Sequence, residues 1–152
     1  MMENQASGKP MLLVVEPDPL MLTGISAILD ARGYRCFLSR DLSVAIRATE
    51  TVAFDLFIVS FSDDVHQACE AANQLRQLNT TDDVPVVFLS DRLEDKWREP
   101  LNNAGGSFCL TKPYEPDTLI DLVDRALWMP QLARAKVNPP KTHLAQDWIK
   151  LS

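Results

Sequence analysis

The chain has 152 residues, 46% of them hydrophobic and 24% charged, which is enough apolar material for one packed domain and too much for a disordered chain. Its net charge of −6 at pH 7 argues against nucleic acid as the main partner, because phosphate backbones select Lys- and Arg-rich surfaces. No apolar run is long enough to cross a bilayer, and the polar opening MMENQASGKP lacks the apolar stretch of a signal peptide, so a cytoplasmic protein without membrane contact is expected.

Residues 1–10 read as a flexible leader. MLLVV (11–15) is a continuous apolar run, the pattern of a strand buried on both faces. Asp18 and Pro19 suit the N-cap and first position of a helix, with Met21, Ile25, Ile28 and Leu29 inward and Gly33 as its stop. YRCFL (34–38) reads as a second strand. Asp41 caps a helix through about residue 52, with Val44, Ala45 and Ala48 inward. DLFIVS (55–60) is a third strand, and Val65, Ala68, Cys69, Ala72 and Leu75 mark a third helix, followed by a polar loop at 79–83. PVVFLS (85–90) is a fourth strand with Pro85 at its first position, where a missing N–H is tolerated. A fourth helix over 91–104 contains Pro100, which predicts a kink or break. SFCL (107–110) is a fifth strand, and Leu119, Ile120, Leu122, Val123, Ala126 and Leu127 give a clearly amphipathic last helix.

Five such units in series imply an α/β domain over 11–129, a doubly wound parallel sheet of five strands with helices on both faces. Ligands of such sheets bind beyond the carboxyl ends of the strands. The residues to inspect are therefore Glu16, Pro17 and Asp18; Ser60 to Ser62; Ser90 and Asp91; and Thr111, Lys112 and Pro113. Cys36, Cys69 and Cys109 are widely spaced, with no Cys/His cluster, and read as small buried residues in a reducing compartment; no metal site is expected.

LVVEPDPLML, FDLFIVS, VPVVFLS and NAGGSFCLTKPYEPDTL fall in order at the ends of predicted strands. Over roughly residues 10 to 129 they resemble a response-regulator receiver domain, the phospho-acceptor module of bacterial two-component signalling. The resemblance implies a flavodoxin-like sheet of order 2-1-3-4-5. It also implies a pocket in which an aspartate accepts a phosphoryl group, two acids of the first turn help it hold Mg²⁺, a lysine contacts the phosphoryl oxygens, and a hydroxyl and an aromatic side chain switch together. Matched position by position, Glu16 stands at the first acid, Pro17 at the second and Ser60 at the acceptor. Ser90 keeps the hydroxyl, Lys112 and Pro113 keep the Lys-Pro pair, whose peptide bond the family usually holds cis, and Cys109 stands at the aromatic switch position.

A serine hydroxyl without a nearby base is a weak nucleophile, and Pro17 offers no side-chain oxygen. Hence no cofactor, no Mg²⁺ binding and no aspartyl phosphate are expected, nor is an enzyme. Glu16 and Lys112 are expected to close the pocket as an ion pair bridged by Ser60. Asp63 or Asp64 as an unconventional acceptor is the alternative, although Asp55–Leu56 sets the register that puts the acceptor position at Ser60. A small-molecule-binding flavodoxin-like protein is the other alternative, disfavoured because the acidic EPDP turn repels phosphate. Trp97, Pro100 and Tyr114 are candidates for a partner face, since aromatics dominate binding hot spots, with core packing as the alternative for Trp97.

The segment 130–152 is mildly basic (Arg134, Lys136, Lys141 and Lys150 against Asp147) and is too short for a DNA-binding or catalytic output domain. Thr142 can cap a short helix in which Leu144, Trp148 and Leu151 share a stripe that docks on its own domain or on a partner. The reading is thus a pseudo-receiver that acts by contact with a protein partner (a signalling kinase, regulator or output protein), with a homodimer as an open alternative and no nucleic acid.

Overall fold

A computed structural model describes residues 8–77 and 84–128. The elements run β1 Met11–Val15, α1 Pro19–Arg32, β2 Arg35–Ser39, α2 Leu42–Ala48, β3 Leu56–Phe61, α3 Val65–Gln77, β4 Val86–Ser90, α4 Arg98–Asn103, β5 Gly106–Thr111 and α5 Pro116–Trp128, with a 3₁₀ turn at Asp95–Trp97 before α4. All pairings are parallel, in the order β2-β1-β3-β4-β5. This is the doubly wound parallel sheet expected from the alternating pattern, in the flavodoxin-like order that the resemblance implies.

The two faces of the sheet explain the continuous apolar runs. Alternate residues of a strand point to opposite faces, and here each face meets helices. Leu13, Val15, Phe57, Val59, Val86, Phe88 and Cys109 pack with α2, α3 and α4. Leu12, Val14, Leu56, Ile58, Val87, Leu89, Phe108 and Leu110 pack with α1 and α5.

Helix α1 begins where the sequence indicates. Asp18 is extended and its Oδ1 accepts the Leu20 N–H at 2.9 Å, with Pro19 in the first turn. It ends at Gly33, whose φ of 101° is left-handed and turns the chain so that the Tyr34 N–H reaches the Leu29 carbonyl at 3.0 Å. Asp41 caps α2 in the same way through the Ser43 N–H.

Several expectations are corrected. In α1 the buried residues are Leu22, Ile25 and Leu29, so Leu22 takes the core position expected for Met21, and Ile28 is half-buried. Helix α2 stops at Ala48, and Val44 is 43% exposed, with Ala45 and Ala48 forming the buried side of the helix. Cys36 and Cys69 are only half-buried, whereas Cys109 is in the core. Pro100 does not break a long helix, because α4 begins only at Arg98. That places Pro100 in the first turn, where a backbone N–H has no intrahelical acceptor to lose. Its carbonyl still accepts the Ala104 N–H at 3.0 Å. The tail residues Leu144, Trp148 and Leu151 and the loop 79–83 lie outside the described residues.

Candidate functional site

The pleat decides which strand-end residues can meet. Leu12 and Val14, Leu56 and Ile58, and Phe108 and Leu110 all face the α1/α5 core. Continuing the alternation by two residues carries Glu16, Ser60 and Lys112 to that same face, just beyond the apolar layer. The backbone holds them there: the Glu16 N–H reaches the Ser39 carbonyl at 3.0 Å, and the Lys112 N–H reaches the Ser90 carbonyl at 2.8 Å.

The three side chains form one closed group. Lys112 Nζ donates to Glu16 Oε1 at 2.9 Å and to Ser60 Oγ at 2.6 Å. The other Glu16 oxygen accepts the Asp18 N–H at 3.0 Å. The pair is well shielded, with side-chain exposures of 15% for Lys112 and 3% for Glu16. A buried carboxylate and a buried ammonium are tolerated together because each supplies the charge and the hydrogen bonds that the other has lost from water. Lys112 is followed by the cis peptide bond to Pro113.

Ser90 stays outside this group. It aligns with Phe61 and Thr111 in the ladder, which puts it on the opposite pleat from Ser60. Its hydroxyl is used in the loop after β4, where its single proton has the Ser62 carbonyl at 3.2 Å and the Arg92 carbonyl as alternative acceptors, and its oxygen accepts the Arg92 N–H at 3.2 Å. Pro17 is exposed and contributes only its carbonyl, which accepts Arg40 Nε at 3.0 Å.

Mg²⁺ requires several oxygen ligands in a near-octahedral array, and these residues do not fit it. Both Glu16 oxygens are engaged, Pro17 has no side-chain oxygen, and the Ser60 hydroxyl is neutral and held by the Lys112 ammonium. An added dication here meets the lysine charge with one carboxylate to offset both. Among the described residues, no group of three or more His, Cys, Asp or Glu suits a metal ion.

Asp63 and Asp64 are exposed. Asp64 caps α3, its Oδ1 accepting the Gln67 N–H at 3.0 Å. Both line an open groove of about 620 Å³ together with His66, Arg92, Glu94, Lys96 and Trp97. Trp97, expected on a partner face, is 5% exposed and belongs to the core. Its ring lies 5.9 Å from that of Phe61, and the Arg92 guanidinium covers it at 5.1 Å. The reason is the late start of α4, which turns Trp97 inward at the end of the 3₁₀ turn. Pro100 is half-buried on the same groove. At the switch position Cys109 is fully buried, and burial pushes its thiol up to about 12.

Tyr114 is half-buried against the α1/α5 core. Burial, and then the nearby Glu16 charge, pushes its phenol up to about 12. Tyr34 is likewise pushed up to about 12, first by burial and then by its bond to Asp124. These are both of the chain's tyrosines, so a phenolate absorbance titration should show no ionisation centred near the usual 10. The unfolded chain ionises first. The stabilising contribution is therefore complete below about pH 10 and is lost as the pH rises through about 12. A tyrosine titrating near 10 in the folded protein would contradict the burial described here.

A family model described as the response regulator receiver domain matches residues 12–124. The probable transcriptional regulator ycf29 of Porphyra purpurea is 25% identical over 121 residues, covering 80% of this chain and 58% of that protein. The hybrid signal transduction histidine kinase D of Dictyostelium discoideum is 26% identical over 121 residues, again 80% of this chain but only 8% of that protein. The chain thus spans little more than half of one curated relative and a small part of the other. Among solved structures, the chemotaxis protein CheY4 of Vibrio cholerae superimposes with a TM-score of 0.73 at 21% identity, over 79% of this chain and 100% of that one. The receiver domain of the sensor histidine kinase PA1611 of Pseudomonas aeruginosa, solved with magnesium in its active-site cleft, gives 0.64 at 26% identity, over 78% and 97%.

Proposed function

The chain belongs to the response regulator receiver domain family of two-component signalling, and on that footing we propose that it signals by protein contact alone, as a receiver that accepts no phosphoryl group on an aspartate. One observation carries this reading: Lys112 Nζ is shared between Glu16 and Ser60. In a phospho-accepting pocket the lysine serves the incoming phosphoryl oxygens, and clustered carboxylates call for a metal ion. Here the lysine is neutralised by one carboxylate and the strand-end group is an uncharged hydroxyl, so the pocket is complete without metal or phosphate. A cytoplasmic, non-enzymatic role follows, with a signalling kinase, a regulator or an output protein as partner.

This reading supplies its own test. A protein captured by the chain should bind with the same affinity whether or not beryllium fluoride and Mg²⁺, which together mimic an acyl phosphate, are present. A receiver that keeps the acceptor aspartate serves as the positive control. A change in affinity of more than about tenfold, equivalent to 1.4 kcal/mol, would show that the pocket still takes the phosphoryl mimic and would remove the basis of the proposal.

A further inference from the structure

The end of the domain opposite the pocket carries a polar cluster that the pocket chemistry does not use. Tyr34, 6% exposed, opens the path from α1 into β2. Its hydroxyl donates to Asp124 Oδ1 and accepts the Trp128 indole N–H at 3.1 Å. The other Asp124 oxygen takes Arg32 at 2.7 Å. Asp124 and Trp128 stand four residues apart on one face of α5, so they approach the corner between α1 and β2 together. Trp128 itself is 61% exposed, and it is tied down by its polar edge rather than by burial.

We propose that this cluster is a latch that fixes the 124–128 turn of α5 against the corner between α1 and β2, and so couples that turn to α1. A terminal helical turn frays because its last carbonyls lack partners. Here the turn is held from the side by a phenol that uses its donor and an acceptor lone pair at once. Arg32 adds a charge-assisted bond to the same carboxylate, and the pair raises the affinity of that arginine for its proton. The holding element is α1, whose other end is joined to the pocket through the bond from the Asp18 N–H to Glu16. The inference does not depend on whether the pocket is phosphorylated.

Tyr34→Phe tests it in the full chain, because it keeps the buried ring and removes only the hydroxyl. Amide exchange over residues 124–128 should speed up by about fivefold or more, and the Trp128 indole N–H should become solvent-like in its proton exchange, while the amides of β1 and β3 stay unchanged. Trp128→Phe should reproduce the loosening from the other side. Unchanged exchange at 124–128 in both variants would overturn the latch. So would a uniform increase across β1, β3 and α5, since Tyr34 would then be an ordinary core residue.

Discussion

Replacing Lys112 by methionine is expected to destabilise the domain by about 3 kcal/mol, because it strands a buried carboxylate without its counter-charge. Glu16 has a side-chain exposure of only 3%. Its remaining bond, from the Asp18 N–H, does not replace a cation. The size of the effect rests on this asymmetry. An intact buried pair adds little net stability over apolar residues of the same shape, but a broken one leaves an unpaired charge. Combining Lys112→Met with Glu16→Gln should therefore recover most of the loss. Ser60→Ala, which removes one hydrogen bond to the ammonium, should cost only about 1 kcal/mol. Urea midpoints at constant slope measure all of these. A Lys112→Met protein as stable as the parent would mean that the ion pair does not hold the pocket closed.

A second large effect is expected on metal affinity. Pro17→Asp together with Ser60→Asp places two further carboxylates beside Glu16, around a single lysine. Their mutual repulsion then exceeds what Lys112 offsets, and a hard dication with oxygen ligands relieves it. The double variant should bind Mg²⁺ at least about a hundredfold more tightly than the parent, a gain of roughly 2.7 kcal/mol, and should become labelled by acetyl phosphate. Each single variant should fall well short, since either one leaves the ion a carboxylate short. If the parent already binds Mg²⁺ as tightly as the double variant, the donor argument built on Pro17 and Ser60 is wrong.

The strands were legible because a parallel sheet covered on both faces demands continuous apolar runs, and MLLVV, LFIVS and VVFLS are of strand length and rich in Val, Ile and Phe. The meeting of Glu16, Ser60 and Lys112 was legible through the family resemblance, and the strands supply its physical reason. Each stands just past a run at a position that strand alternation sends to one face. What escaped depends on contacts between segments far apart in sequence. Trp97 reads as either core or binding face in a long fourth helix, and the sequence does not decide; the chain spends 91–97 on a loop and a 3₁₀ turn, and this rotates the indole into the core beside Phe61. Val44 and Met21 fit a helical stripe, yet which edge of a stripe is covered depends on the position of the helix over the sheet. The cluster of Arg32, Tyr34, Asp124 and Trp128 joins residues about ninety positions apart, and no local pattern announces it.

If the pocket forms no acyl phosphate, as proposed, intact-mass spectrometry of the unaltered chain after incubation with acetyl phosphate and Mg²⁺ will show it. A receiver that keeps its acceptor aspartate, run alongside, must become labelled. No phosphate adduct is expected on this chain. An adduct that hydroxylamine removes would place an acyl phosphate on Asp63, Asp64 or another carboxylate, and would contradict it.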